Sequence, residues 1–251
     1  MKKLIFFLLF LNISCADDHP FLPGFIKRAY DAVLTTCDPY NKGERHSCII
    51  FSAADQGHLY IYDASSKEMV LGPSGYRPLM VKVGKTTDVL VKVVGDENFP
   101  WLLALERSKP ALYSVRMSPS TDGKEKSLHS KKPQNLANKP LDMAASVLDD
   151  EIIGVITCPD EIEVLAMDKA STQIKSKKTF KLGTKLSHVS MMGDVVAVTD
   201  EAENQVHVLS LKELKNFLST ATAPAVKNID VGMANDKIYL VNKDFGQGKK
   251  T

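Results

Sequence analysis

The stretch Val195–Leu209, VVAVTDEAENQVHVL, sets two β-branched runs, VVAVT and QVHVL, on either side of a polar tip, Asp200–Asn204. Val and Thr suit a pleated, half-buried surface, and a short polar break between two such runs marks an antiparallel hairpin. Versions of the hairpin recur as CIIFSAADQGHLYIYD from Cys48, WLLALERSKPALYSVR from Trp101 and IIGVITCPDEIEVLAMD from Ile152. A fifth first strand, KIYLVN, begins at Lys237. The starts lie 53, 51, 43 and 42 residues apart. A fixed period of this size belongs to a supersecondary unit that buries its faces only against copies of itself.

The segments between the hairpins repeat as well. Val81–Asp96 reads VKVGKTTDVLVKVVGD and Phe180–Asp194 reads FKLGTKLSHVSMMGD: a strand ending in Gly, a second apolar strand, then Gly-Asp. Weaker copies of the turn stand at VLDDE from Val147 and MANDK from Met233. Gly, Asp and Asn tolerate the left-handed geometry of a tight turn. Each unit thus has four strands. The pattern resembles the β-propeller superfamily with YVTN-type or WD40-like repeats, over roughly Val33 to the C-terminus. It departs from both signatures, with no Trp-Asp dipeptide and no YVTN tetrapeptide; the nearest echo is YLVN at Tyr239. The resemblance implies an all-β propeller of about five four-stranded units, the last incomplete. A β-sandwich also has short strands and frequent turns, but it does not require the long repeat.

The 251 residues are 44% hydrophobic and 25% charged, an ordinary globular composition. A formal net charge of +2 exerts little pull on nucleic acid, no nucleic-acid motif is present, and no nucleic-acid partner is expected.

Residues 1–16 read as an export signal. Lys2 and Lys3 precede an apolar run, Leu4–Ile13, that is too short to span a bilayer. Ser14-Cys15-Ala16 fits ordinary cleavage before Asp17. Ile13-Ser14-Cys15 also resembles a bacterial lipobox, with cleavage before Cys15 and lipidation of its thiol, although Asn12 stands where Leu is usual. Both readings export the chain, the second as a membrane-anchored lipoprotein of the cell envelope. Residues 17–28 read as a tether and 29–251 as the propeller-like domain. Phe25–Thr36 is open between a short helix and the first inner strand. Because only KDFGQGKKT follows Asn242, the last unit lacks two strands. Either the chain is a piece of a larger ring, or Ala29–Thr36 completes the last unit from the N-terminal side.

Cys37 and Cys48 bound a polar loop and, in an exported chain, read as a disulfide. A zinc site at Cys37, His46 and Cys48 is the alternative. Cys158, after the strand IIGVIT, reads as a buried inert thiol. The lysine-rich stretch Thr121–Pro140 reads as a solvated outer strand and loop. Leu211, Leu214 and Leu218 have the i, i+3, i+7 spacing of a short helix.

The chain has no HExxH, P-loop, GxSxG or dinucleotide fingerprint. His58 and His207 fall in third-strand positions and read as structural. His188 and Asp88, on predicted innermost strands, are the candidates for lining a central channel. The tips between second and third strands carry Asp55, Lys109, Asp160, Glu161, Glu201 and Glu203, a mostly acidic set on one face that suits a cation or a basic partner. No catalytic set, metal or cofactor is expected. The sequence therefore points to a non-enzymatic propeller that presents a face to a protein partner. Propeller lipoproteins of bacterial envelope assembly resemble it in layout. The rival is a propeller enzyme of the lactonase or quinoprotein-dehydrogenase kind, with a metal or cofactor in the channel.

Overall fold

The structure is a computed structural model that describes residues 29–53, 57–84, 89–94, 101–118, 124, 128–211, 217–222, 229–234 and 237–242. Every regular element among them is a β-strand. The first unit holds β1 (Ala29–Cys37), β2 (His46–Ala53), β3 (His58–Asp63), β4 (Glu68–Met69) and β5 (Met80–Lys82). The second holds β6 (Val89–Val94), β7 (Trp101–Glu106), β8 (Ala111–Arg116), β9 (His129–Ser130) and β10 (Gln134–Asn135). The third comprises β11 (Asp142–Leu148), β12 (Glu151–Thr157), β13 (Glu161–Asp168) and β14 (Ile174–Lys181). The fourth comprises β15 (Leu186–Met192), β16 (Val195–Asp200), β17 (Gln205–Ser210) and β18 (Phe217–Thr222). A two-stranded sheet, β19 (Ile229–Ala234) with β20 (Lys237–Asn242), follows.

Each four-stranded path runs antiparallel in chain order from an inner to an outer strand; in units 1 and 2 the outer edge is shared by two short strands. The innermost strands β1, β6, β11, β15 and β19 adjoin one another in that order around a common axis. This is the propeller arrangement. The repeated hairpins are the second and third strands of each unit, and KIYLVN is β20, a second strand. Phe25–Thr36, open between helix and strand, resolves over Ala29–Cys37 as β1, which pairs along β2 and so belongs to the first unit rather than completing the last. The helix expected over Leu211–Leu218 is corrected at its end: Phe217 and Leu218 open β18, where Phe217 pairs with Leu209. Three apolar residues at helical spacing were outweighed by the free edge of β17, which takes the backbone hydrogen bonds of a fourth strand.

Sheets stacked around an axis bury both faces, so the strands read as nearly continuous apolar runs. Alternation sorts each run between two seams. Ile50, Leu59 and Ile61 of unit 1 pack with Val89, Val91, Leu102 and Ala104 of unit 2. Trp101, Leu103 and Leu105 point the other way, toward Met143, Ile152, Ile156 and Leu165 of unit 3. Val155, Ile162 and Val164 meet Val189, Val196 and Val198 of unit 4 in the same manner. Trp101 is also capped by two cations, with the Arg116 guanidinium 5.0 Å and the Lys131 ammonium 4.7 Å from its ring.

The repeated glycines and turn residues have local causes. Asp149 and Gly193 take positive φ in the tight turns between first and second strands. A Cβ on Gly84 would stand 3.1 Å from the Glu106 carboxylate, and one on Gly183 would overlap Asp200 Oδ2. The Gly that ends VKVG and FKLG therefore makes room for a buried acid at the end of the second strand of the same unit. Cys37 and Cys48 are bonded, with Cα atoms 6.1 Å apart across the β1–β2 pair, which excludes the zinc alternative at those thiols. The Asp38 carboxylate folds the enclosed loop by accepting the amides of Lys42 (3.0 Å) and Gly43 (2.7 Å), and the Asp38 amide reaches the Met117 carbonyl of unit 2 at 3.0 Å.

Peptide mapping without reductant should recover Cys37 and Cys48 as one linked pair, and the Cys37→Ala/Cys48→Ala variant should lose about 3 kcal/mol or less of stability to urea, the loop being short. Free thiols at both positions in the native protein would refute the pairing.

Candidate functional site at the mouth of the channel

The antiparallel topology sends two sets of connections to one end of the propeller: those between second and third strands, and those that lead into each innermost strand. At this end the innermost strands carry Asp31 on β1, Lys92 on β6, Asp142 on β11 and His188 on β15. Asp142 sits at the centre. Its Oδ1 is 3.4 Å from Lys92 Nζ and its Oδ2 3.5 Å from His188 Nδ1.

Two of these acids are built into the same hydrogen-bond device. Asp31 Oδ1 accepts the Ala32 amide (3.0 Å) and Oδ2 accepts the Val91 amide of the next unit (3.2 Å). The Ser52 hydroxyl accepts the Asp31 amide at 3.2 Å and donates to the Val89 carbonyl of the next unit at 2.9 Å. In unit 3 the Asp142 carboxylate takes the amides of Met143 (2.8 Å) and of Val189 in unit 4 (3.1 Å). There Thr157 Oγ1 accepts the Asp142 amide at 3.1 Å and donates to the Ser187 carbonyl at 3.0 Å. Each carboxylate–hydroxyl pair thus clamps the innermost strand of its own unit to that of the following one. In unit 4, His188 occupies the Asp position, and its amide reaches Thr199 Oγ1 at 2.9 Å.

Electrostatics separates the two acids. Burial raises the pKa of Asp31, and Lys92 with the amides of Val91 and Ala32 offsets only part of that. Burial also opposes the charge of Asp142, but Lys92, the His188 hydrogen bond and the Val189 amide overcome it and hold the carboxyl at about 2. The same device therefore keeps one carboxylate firmly ionised and makes the other reluctant to ionise. Such a pair, a cation and an imidazole on one channel wall form the densest group of interacting ionisable side chains on the described innermost strands.

Of the residues expected at the channel, His188 is in this cluster, while Asp88 lies outside the described residues. Asp31, Lys92 and Asp142 were missed by the sequence reading. The signal that marks two of them is an Asp at the head of an innermost strand followed by Ser or Thr near the end of the next. Asp55 also lies outside the described residues. The remaining tips share the mouth face, but they are not a bare acidic surface. Asp160 pairs with Lys181, Glu161 accepts from Asn138 and lies 3.5 Å from Lys181, and Glu201 lies 3.0 Å from Lys185. Beside Glu203, the buried Asp200 carboxylate gathers the amides of Thr184, Lys185, Ala202 and Glu203. This fixes the tip against the loop leading into β15. Burial raises the Asp200 pKa, and those amides more than reverse it, leaving it lowered. His207 is buried, with Nε2 3.8 Å from Asp200 Oδ2. Cys158 is buried too, and its thiol is pushed up to about 12 by burial and then by Glu163 and Glu161.

Because the folded pKa of Asp142 is depressed, its stabilisation is present above the unfolded value of about 3.9 and lost as the pH falls toward 2. The Asp142→Asn variant should be about 2 kcal/mol less stable than the native chain at pH 6, with the gap closing between pH 4 and pH 2 in urea titrations. A gap that stays constant across that window would show that Asp142 does not carry this charge coupling.

The sequence matches no family model and no curated protein. Among solved structures it is similar to the β-propeller domain of Cps50 (Swd1) from Myceliophteria thermophila. The TM-score there is 0.50 at 11% identity, over 72% of this chain and 53% of that one. It is also similar to the WD40 domain of SCAP from fission yeast (TM-score 0.45, 14% identity, 75% of this chain and 46% of that one). The Dos1 propeller gives 0.47 at 10% identity, with 71% and 46% covered. The chain spans about half the length of these three. What it shares with the first of these is the fold, an all-β propeller.

Proposed function

We propose that this protein is a non-enzymatic propeller scaffold that holds a protein partner on its rim. The observation that carries the reading is a rigid hairpin at the edge of unit 1. Leu79 donates to the Val70 carbonyl (2.7 Å), Gly72 to Arg77 (2.7 Å) and Gly75 to Gly72 (2.9 Å), so the turn Leu71–Pro78 is fixed by its own backbone. On it, Tyr76 is 92% exposed, and Leu71 (48%) and Met80 (46%) stand beside it. Large apolar side chains held in water on an ordered turn are anchors without a cover, and tyrosine is favoured at such contacts.

Met80 borders a groove of about 470 Å³ between the outer strands of units 1 and 2, with Lys82, Tyr113, His129 and Lys131 on its walls. With Arg77 on the hairpin and Lys132 beside the groove, the surface is basic. It fits a protein segment that brings acidic residues around an apolar anchor. The channel supports the enzyme alternative less well. Asp142 and His188 are spent on each other, on Lys92 and on backbone amides, so they are not arranged to hold a metal or cofactor.

Export and anchoring belong to the same proposal. The Cys37–Cys48 bond suits an oxidising compartment. Cys15 and residues 17–28, outside the described residues, would provide the lipid anchor and the tether of an envelope protein.

Two measurements test this. A photo-crosslinking amino acid at position 76, introduced in cells of the source organism, should yield one defined protein adduct that the same probe at the exposed Lys178 does not; matching adducts at both positions would sink the rim proposal. Mature protein should carry acyl mass on Cys15 and partition into detergent, and native material beginning at Asp17 without lipid would end the anchor proposal.

A further inference from the structure

On the mouth face of unit 3, Cys158 follows β12, and Glu161 and Glu163 lie two apart on β13, which puts them on one face of the sheet. The Cys158 sulfur and one carboxylate oxygen from each glutamate all lie within 4.8 Å of one another. The Glu163 side chain is only 1% exposed, and its Oε2 is buried with no hydrogen-bond partner among the described residues. A buried carboxylate oxygen left without a donor is costly unless something positive completes it. Its other oxygen, Oε1, accepts from Lys177 Nζ at 2.6 Å. Around Glu161 stand Asn138, which donates to Oε1, and Lys181, 3.5 Å from Oε2.

We infer that Cys158, Glu161 and Glu163 form a zinc site. One sulfur and two carboxylate oxygens make a mixed donor set that suits a borderline-soft divalent ion, with water as the fourth ligand of a tetrahedron. Zinc–sulfur and zinc–oxygen bonds of about 2.3 and 2.1 Å place ligand atoms roughly 3.5 Å apart, so the three side chains need only draw together slightly. Charge balances as well: a thiolate and two carboxylates offset the divalent ion and the Lys177 ammonium. On binding, the sulfur–zinc bond forms and the thiol proton leaves to solvent, one proton per ion. Asn138 and Lys177 are then the outer partners that orient the two glutamates. Asn138 comes from the loop that joins unit 2 to unit 3, so a bound ion ties that loop to the hairpin tip of unit 3. The site is separate from the rim surface and from the channel cluster.

The test is metal titration of the full-length chain stripped with chelator. Zinc should bind at one equivalent per chain, release one proton and raise the melting temperature. Cobalt in its place should give a thiolate-to-metal charge-transfer band. That band needs a free thiol, and with Cys37 and Cys48 bonded the four cysteines leave only Cys15 and Cys158. The band should survive Cys15→Ser and vanish in Cys158→Ser. Asn138→Ala should weaken zinc by about 10- to 100-fold. Should Cys158→Ser fail to fold, Glu161→Gln, at a partly exposed position, must still weaken binding. No cobalt band, a band lost in Cys15→Ser, or zinc affinity indifferent to both Glu161→Gln and Glu163→Gln would overturn the assignment.

Discussion

Everything at the centre of this molecule depends on how the innermost strands are held to one another. Within a unit, neighbouring strands share backbone hydrogen bonds. Between units the described strands form separate sheets joined by only scattered backbone bonds, such as Asp38 to Met117 and Leu186 to Pro159, and apolar seams resist sliding weakly because burial has no direction. The Asp–hydroxyl clamps supply that direction. Asp31 with Ser52, and Asp142 with Thr157, each contribute a carboxylate and a hydroxyl that cross a unit boundary to a specific amide and a specific carbonyl. A buried amide that would otherwise lack a partner is given a charged acceptor, among the stronger of protein hydrogen bonds.

Units 2 and 4 solve a related problem one residue further on. Glu106 and Asp200 end their second strands, and both are buried. Each packs against the glycine of the loop leading into its own unit, Gly84 and Gly183. Asp200 then organises four amides around itself, whereas Glu106 accepts the Tyr113 hydroxyl at 3.0 Å. Burial and hydrogen bonding to Glu106 push that phenol up to about 12. Acidic side chains thus recur at the mouth for structural reasons, which is why counting acids at the tips says little about a ligand there.

Much of the architecture was legible from the chain because its cause is local and repeated. Apolar second and third strands, turn residues at Asp149 and Gly193, and the glycines that lead into β6 and β15, Gly84 and Gly183, all leave a recurring trace. The Leu211–Leu218 segment misled because three apolar residues at helical spacing are weak evidence over so short a run, and the open edge of β17 takes Phe217 and Leu218 into a strand instead. The channel cluster was less legible. Asp142 sits in NKPLDMAAS, which reads as loop, and Lys92 reads as the polar residue of an alternating strand. Their meaning arises from a meeting of three units that no local spacing records.

The clearest instance is one register position followed around the ring. The residue that opposes Ser52, Leu105, Thr157 and Thr199 is Asp31 in unit 1, Leu90 in unit 2, Asp142 in unit 3 and His188 in unit 4. Where it is Asp, the unit clamps its successor. Where it is Leu, the clamp is absent, and the boundary to unit 3 is held instead by Lys92 reaching Asp142 and by the Arg107 guanidinium donating to the Leu141 carbonyl at 3.0 Å. Where it is His, the Thr199 hydroxyl is kept and the imidazole turns to Asp142. Asp142 receives a clamp amide, a lysine and a histidine: Lys92 reaches it from two residues beyond Leu90 on β6, and His188 stands at the position that is Asp in units 1 and 3. The asymmetry of the channel, with Asp142 held ionised while burial raises the pKa of Asp31, follows from Lys92 on β6 and from His188 at this register position.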